Sequence, residues 1–168
     1  PIYPGPCRGK TALPDADVAW RLDMARASAL TGPLSWVDER AGLQRAWPEM
    51  FGDVVLLRKE APASYHLAAT LDDAADGVTL VTRGMDLFAS THIHRLLQAL
   101  LDLPVPIWHH HLLLVEADGR KLAKRRGSAQ AGFGISELRL AGEDGQALAD
   151  SLRGHRFPAG ISLGECLS

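Results

Sequence analysis

The sequence predicts an α/β layer fold built on a parallel sheet, and three observations carry that reading. Residues 53–58 (Asp-Val-Val-Leu-Leu-Arg) and 77–82 (Gly-Val-Thr-Leu-Val-Thr) are short apolar runs of the kind that form strands covered on both faces. Residues 107–115 read as a third strand, with the apolar run Leu112, Leu113, Leu114 and Val115 closing it. Between the second and third runs lies the clearest helix, about 91–101, whose Ile93, Leu96, Leu97, Leu100 and Leu101 recur at helical spacing. A strand, a helix and a strand joined by a crossover of this length imply parallel strands.

Taken in order, residues 1–14 are turn-rich, with Tyr3 and Cys7 four apart around Pro4-Gly5-Pro6. Residues 15–30 predict an amphipathic helix, with Asp15 or Asp17 as N-cap, Val18, Leu22 and Ala25 on one face, and Gly32-Pro33 as terminator. Residues 34–50 carry Trp36, Trp47 and several charges without a clean period; the tryptophans are expected to pack rather than to stack on bases. After the first strand, Pro62 and Ser64 turn the chain into a helical or extended apolar piece, 65–71, ending at Asp72-Asp73. Asp86 or Ser90-Thr91 is the expected cap of helix 91–101, and Pro104 and Pro106 end it. Two short helices follow near 135–140 and 144–152, then an irregular tail. The expected division is 1–52 (an insertion-like subdomain), 53–127 (the α/β part) and 128–168 (a helical tail).

Composition sets bounds. The 168 residues suit one domain, or one domain with a small appendage, and the 46% hydrophobic content is ample for a core. A formal net charge of −2 supplies no global field for nucleic acid, so phosphate contacts must come from local patches. Two cysteines, Cys7 and Cys166, make no disulfide framework, and no apolar run reaches the roughly 18 residues that span a bilayer. A cytoplasmic monomer without a membrane segment is expected. The chain opens at Pro1 inside what reads as a tight Pro-Gly turn, so it is expected to be a piece of a longer protein or to lack its front.

The local patch is at 118–127, Asp-Gly-Arg-Lys-Leu-Ala-Lys-Arg-Arg-Gly. Five cationic side chains fall within residues 120–126, after a turn at Asp118-Gly119 and before Gly127. No apolar periodicity ties the segment to a core, so it reads as an exposed loop at a strand end. Lys121 and Lys124 on such a loop can close on the phosphates of a polyanion, which suits phosphoryl or nucleotidyl transfer. A solvated charge run is the alternative. In open parallel sheets ligands sit beyond the carboxyl ends of the strands, and both Arg83 and this loop fall at that edge.

Arg83 can grip a carboxylate in bidentate fashion, as binding an amino acid requires; a structural salt bridge to Asp72, Asp73 or Asp86 is the alternative. Tyr65 would supply a hydroxyl to the same pocket, unless it is a core tyrosine. On a strand, His109 and His111 share one face and His110 takes the other, too few converging ligands for zinc. His110 is expected instead to line a nucleotide pocket, with the backbone of Leu112–Leu114 beside the base. Tyr3 and Cys7 alone are two ligands where zinc takes four.

The stretch Leu56-Leu57-Arg58, Tyr65-His66-Leu67-Ala68, Asp72-Asp73, Gly77-Val78-Thr79, Arg83-Gly84-Met85-Asp86-Leu87 and Ser90-Thr91 resembles the second half of the catalytic domain of class I glutamyl-tRNA synthetases. His110-His111-Leu112-Leu113-Leu114 and Asp118-Gly119-Arg120-Lys121-Leu122-Ala123-Lys124-Arg125 continue the resemblance in the same order. The last piece looks like the KMSKS signature loop, with Ala123 where the family usually has serine. Within that superfamily the chain is most similar to the glutamyl-queuosine tRNA(Asp) synthetases, short paralogues without an anticodon-binding domain. Only residues 128–168 follow the loop, Tyr3 and Cys7 match the latter half of that subfamily's zinc site, and Ala69 stands where discriminating synthetases often carry asparagine.

The resemblance implies the second half of a Rossmann-type parallel sheet in 53–127, with a mixed insertion before it and short helices after it. It implies an ATP-dependent ligase that activates glutamate and transfers it to queuosine of tRNA(Asp), with Mg2+ accompanying ATP. Tyr65 and Arg83 would bind glutamate. Lys124, with Lys121 nearby, would contact the ATP phosphates, and His110, Leu112 and Leu113 would flank the nucleotide. Tyr3 and Cys7 would hold Zn2+ only together with upstream ligands. The family's HIGH signature lies upstream of Pro1, so the segment alone is expected to be inactive. Other readings are a truncated glutamyl-tRNA synthetase charging tRNA(Glu) and a non-catalytic nucleotide- or RNA-binding remnant.

Overall fold

A computed structural model of the protein describes residues 2–10, 18–59, 63–122, 135–157 and 159–164. They fall into two units, Pro1–His110 and His111–Ser168. The division lies inside the stretch 53–127 that the sequence groups together.

In the first unit a short strand, β1 (Trp20–Arg21), precedes helix α1 (Met24–Thr31). The helix begins later than its apolar spacing predicts. Asp23 is the cap, accepting from the Arg26 N–H at 3.1 Å, and Val18 and Leu22 lie ahead of it. Asp15 and Asp17 lie outside the described residues. Gly32 ends the helix with φ 66°, a value that costs little only without a Cβ. Residues 34–45, without periodicity in sequence, form a hairpin of β2 (Ser35–Asp38) and β3 (Gly42–Arg45), with Ser35 opposite Arg45 and Asp38 opposite Gly42. Asp38 sets the turn: its Oδ1 accepts from the N–H groups of Arg40 and Ala41, both at 2.9 Å.

After a 3₁₀ turn at Pro48–Phe51 comes β4 (Val55–Leu57), which pairs antiparallel with β1 in a two-stranded ladder. The expectation of a strand buried on both faces is corrected here, since none of its residues is fully buried. Helix α2 (Tyr65–Ala75) is capped by Ser64 and runs on past Asp72-Asp73. Strand β5 (Leu80–Gly84) takes a sheet edge, is half-exposed and contains Arg83 rather than preceding it. Helix α3 (Ser90–Leu100) follows a 3₁₀ turn at Met85–Leu87 and has no side-chain cap, so neither Asp86 nor Ser90-Thr91 plays that part. The third expected strand divides, its first part being β6 (Ile107–His111).

Four strands form one sheet in the order β3-β2-β6-β5. Strand β2 runs parallel to β6, with Asp38 opposite Trp108, and antiparallel to β3, so the sheet is mixed. The stretch 1–52, expected as a separate insertion, thus supplies two of the four strands. Ile93, Leu96 and Leu97 bury the predicted face of α3, each gaining roughly 1.5–3 kcal/mol over exposure. Leu96 packs with Met24 and Ala27 of α1, while Trp36, Ala46 and Trp108 form a second cluster. The Trp36 ring meets those of Phe88 and Trp108 edge-on, at 4.9 and 5.6 Å between centroids.

The second unit opens at His111. Strand β7 (Leu114–Glu116) leads into the predicted turn at Asp118-Gly119, where Gly119 has φ 79°. Residues 120–122 fold back on β7: the Glu116 N–H donates to the Arg120 carbonyl and the Leu122 N–H to the Leu114 carbonyl, both at 2.9 Å. Helices α4 (Ile135–Leu140) and α5 (Gly145–Arg153) match expectation, and Asp144 caps α5. The tail is not irregular throughout, because β8 (Ile161–Leu163) pairs antiparallel with β7.

Candidate functional site

Three elements bring a polar cluster together around Arg83. Strand β5 presents its guanidinium beside the fully buried Thr91 and His94 of α3 and His110 of β6. Its Nε–H donates to His110 Nε2 at 3.0 Å, one terminal nitrogen to Thr91 Oγ1 at 2.7 Å, and the other to His94 Nδ1 at 3.2 Å. A guanidinium only donates, so both histidine nitrogens must be acceptors. That assigns the tautomers by the hydrogen-bond network. His110 carries its proton on Nδ1 and donates to Asp38 Oδ2 at 2.7 Å; His94 carries its proton on Nε2 and donates to His66 Nδ1 at 3.2 Å.

The structure thus gives Arg83 neutral partners in place of the alternative salt bridge. Burial lowers its pKa, opposed by the nearby Tyr65 and by the charges of Asp73 and Asp86. It remains charged, as a guanidinium does at any accessible pH. Three of its five N–H groups serve the cluster, leaving one on each terminal nitrogen. Burial pushes the His94 pKa down to about 3, helped by the neighbouring Arg83 charge, so its ring stays neutral. Burial lowers His66 and His110 as well. Asp38 is also buried, which raises its pKa, but the His110 ring and the N–H groups of Ala41, Arg40 and His110 outweigh burial and hold the carboxylate ionised.

Tyr65, the first residue of α2, is about half exposed and its ring lies 5.7 Å from that of His94. The two residues singled out for an amino-acid ligand therefore meet across one histidine. Tyr65 and His66 also line a hollow of about 270 Å³ with Tyr3, Arg21 and Arg58, and Arg83 is not part of that lining. A larger hollow of about 730 Å³ lies between the end of α1 and the 3₁₀ turn at Pro48–Phe51. None of its lining residues belongs to the Arg83 cluster, whose converging polar groups make it the better candidate. Trp47 stands on its rim, 65% exposed, which corrects the expectation that both tryptophans pack; Trp36 does.

His110, expected beside a nucleotide, has no exposed surface and both ring nitrogens engaged beneath Arg83. His109 pairs with Glu39 at 2.8 Å and His111 meets the Leu112 carbonyl at 2.9 Å. In the second unit Leu112 and Leu113 are half-buried between β6 and β7, and the Leu113 carbonyl accepts from the Gly164 N–H at 2.7 Å. Lys121 stands on the returning arm of the hairpin, opposite Val115. Lys124 lies outside the described residues. The Tyr3 phenol accepts from the Cys7 backbone N–H at 2.9 Å. Two donors are half a zinc set, and the described residues contain no cluster of three His, Cys, Asp or Glu side chains fit for a metal.

The sequence reading missed Asp38, His66, Thr91 and His94. Two signals mark three of them. Thr91, His94 and Gln98 recur at helical spacing next to the apolar stripe of α3, and all three are buried. Asp38 shares the inward phase of β2 with Trp36.

Comparison with known proteins identifies the family. Residues 26–149 match the family described as tRNA synthetases class I (E and Q), catalytic domain. The chain is 46% identical over 138 residues to a glutamyl-Q tRNA(Asp) synthetase of Rhodobacter capsulatus, covering 74% of this chain and 48% of that one. With the corresponding protein of Symbiobacterium thermophilum it shares 37% identity over 170 aligned positions, covering 90% and 46% of the two chains. The chain spans about half the length of the curated relatives it matches. Among solved structures, the crystal structure of a glutamate tRNA ligase from Elizabethkingia meningosepticum in complex with its amino acid is similar over 62% of this chain and 20% of that one. The TM-score is 0.50 at 27% identity.

Proposed function

Given that the chain belongs to the class I tRNA synthetase (E and Q) catalytic-domain family, we propose that this protein activates glutamate with ATP and transfers it to queuosine in tRNA(Asp). The observation that carries this reading is Arg83: a half-buried guanidinium held by neutral acceptors beside Tyr65, with a donor left on each terminal nitrogen. Such a group is preorganised for a planar anion.

Activation requires the α-carboxylate of glutamate to attack the α-phosphate of ATP in line, with pyrophosphate leaving and glutamyl-adenylate forming. The carboxylate that reacts cannot also be the one held, so Arg83 takes the side-chain carboxylate and Tyr65 supplies a hydroxyl next to it. A glutamine amide would then put its NH₂ against a donor, which favours glutamate. Lys121 and Lys124 neutralise the phosphate oxygens as pyrophosphate departs, and the backbone of Leu112 and Leu113 flanks the base. Loss of one such charge contact typically raises the barrier by about 2.7–4 kcal/mol. In the second step a hydroxyl of the queuosine cyclopentenediol attacks the acyl carbon and AMP leaves. Tyr3 and Cys7 would supply two donors to a structural zinc ion, and no step passes through it.

The test is glutamate-dependent ATP–pyrophosphate exchange by the complete protein, followed by transfer of labelled glutamate to tRNA(Asp) with and without queuosine. Exchange with glutamate but not glutamine, and labelling only of the queuosine-bearing tRNA, is the expected result. Charging of tRNA(Glu) instead would favour the ordinary glutamyl-tRNA synthetase. Arg83→Lys, which keeps the charge and loses the fork, should raise the glutamate KM roughly tenfold or more while sparing that of ATP.

A further inference from the structure

We propose that Asp38 is a positioning residue for glutamate binding: by fixing the His110 tautomer, it aims the Arg83 guanidinium. The inference rests on the reading of Arg83 as the glutamate-binding group. Asp38 lies on β2, in a stretch whose sequence shows no motif, and its carboxylate is wholly buried. Its two oxygens divide their work. Oδ1 closes the hairpin turn through the N–H groups of Arg40 and Ala41. Oδ2 accepts from His110 twice, at Nδ1 (2.7 Å) and at the backbone N–H (3.2 Å).

The consequence follows from proton counting. A neutral imidazole carries one N–H. With that proton held on Nδ1 by a carboxylate, Nε2 is left as a lone pair pointing at its neighbours. Those neighbours are the Arg83 Nε–H at 3.0 Å and the Thr91 hydroxyl at 3.3 Å. Were the proton on Nε2 instead, it would face the Arg83 N–H, donor against donor, at a ring with no exposed surface. The guanidinium would have to rotate, and its two remaining donors would turn with it. Every other group packed on the ring leaves this arrangement intact. The Phe88 and Trp36 rings meet it edge-on at 4.9 and 6.0 Å, and Arg40 reaches only the His110 carbonyl, at 3.3 Å. The Arg83 charge opposes protonation of the ring, with His109 a smaller contributor in the same direction, and Asp38 alone among its charged neighbours favours it.

Asp38→Asn separates the two duties. The amide oxygen can keep the turn, while the NH₂ placed at Oδ2 can no longer accept from Nδ1. In the complete protein, nitrogen-correlated NMR of the histidine rings should show His110 protonated at Nδ1 in the wild type and at Nε2 in Asp38→Asn. The glutamate KM should rise roughly ten- to a hundredfold, with the ATP KM unchanged. His110→Asn, which retains a donor toward Asp38 and removes the acceptor from Arg83, should raise the glutamate KM alike and serves if Asp38→Asn does not fold. A glutamate KM within threefold of wild type in a folded variant overturns the proposal. So does an equal rise in both KM values accompanied by a lower melting temperature, which marks a purely structural role. If Arg83→Lys leaves the glutamate KM unchanged, the reading of Arg83 itself fails; if Arg83→Lys raises it and Asp38→Asn does not, only the positioning role falls.

Discussion

Thr91→Val tests the worth of the Thr91 hydroxyl inside the Arg83 cluster. Thr91 is 0% exposed, and its hydroxyl accepts from a terminal nitrogen of Arg83 at 2.7 Å, the shortest of the three contacts the guanidinium makes to its neighbours. Valine has nearly the same shape, so no cavity opens and the packing of α3 on the sheet persists. What changes is that one guanidinium N–H faces a methyl group, and the longer 3.3 Å contact of the hydroxyl with His110 Nε2 is lost with it. A hydrogen bond to a charged partner contributes about 1.5–3 kcal/mol, and a buried donor left unmet forfeits a similar amount. We therefore expect a loss near 2 kcal/mol, or roughly 1 M in urea midpoint for a domain of this size. Thr91→Ser is the control: it keeps the hydroxyl and deletes one methyl, at roughly 0.8 kcal/mol. Urea unfolding followed by the fluorescence of Trp36 and Trp108, both buried in the first unit, reads the transition that matters. A Thr91→Val protein within about 0.5 kcal/mol of wild type, or more stable than Thr91→Ser, refutes the reasoning, because the cluster would then be indifferent to its own hydrogen bonds.

Stability should also fall with acidity. His94 is neutral when folded, with a pKa near 3, whereas an unfolded histidine takes a proton near its ordinary 6.5. Above pH 6.5 both states are neutral and the contribution is whole; as pH falls toward 3 only the unfolded chain gains the proton, and stability drops by up to about 1.4 kcal/mol per pH unit. His66, His92 and His110, all lowered by burial, add to the same slope, and urea midpoints measured from pH 7 to 4 should be shallower in pH for His94→Asn than for wild type. Leu96→Ala, at a position with no exposure between α1 and the body of α3, should cost about 2–5 kcal/mol in the same unfolding assay.

Helix α3 was legible because five apolar residues keep one period, and the turn at Asp118-Gly119 because glycine after aspartate has few other uses. Arg83 and Tyr65 were legible as a pair, and the structure brings them to one histidine. The β2–β3 hairpin was not legible because its strands are four residues each and only β2 alternates buried with exposed positions, and the pairing of β2 with β6, far along the chain, leaves no local record. For the same reason β4 looked buried: an apolar run reports its composition, whereas its depth depends on how many strands flank it. The stretch 107–115 read as one strand because neither its histidines nor the apolar run after them marks where a chain leaves one sheet for another. His110 was seen as a ligand-facing residue, yet a strand position gives only its phase, and the inward phase here leads to Asp38 and Arg83.

The sheet order carries one more consequence, for birth on the ribosome. The hairpin that holds Asp38 is closed by neighbours a few residues away, but the strand that flanks it in the finished sheet brings His110, 72 residues later. At ordinary elongation rates that separation is roughly 4–14 s. Throughout that interval the indole of Trp36 has no Trp108 to meet and the Asp38 carboxylate no imidazole. The nascent chain must keep this half-built face out of misassociation until its middle strand emerges, so slowing translation between the two segments should cost yield before it costs activity.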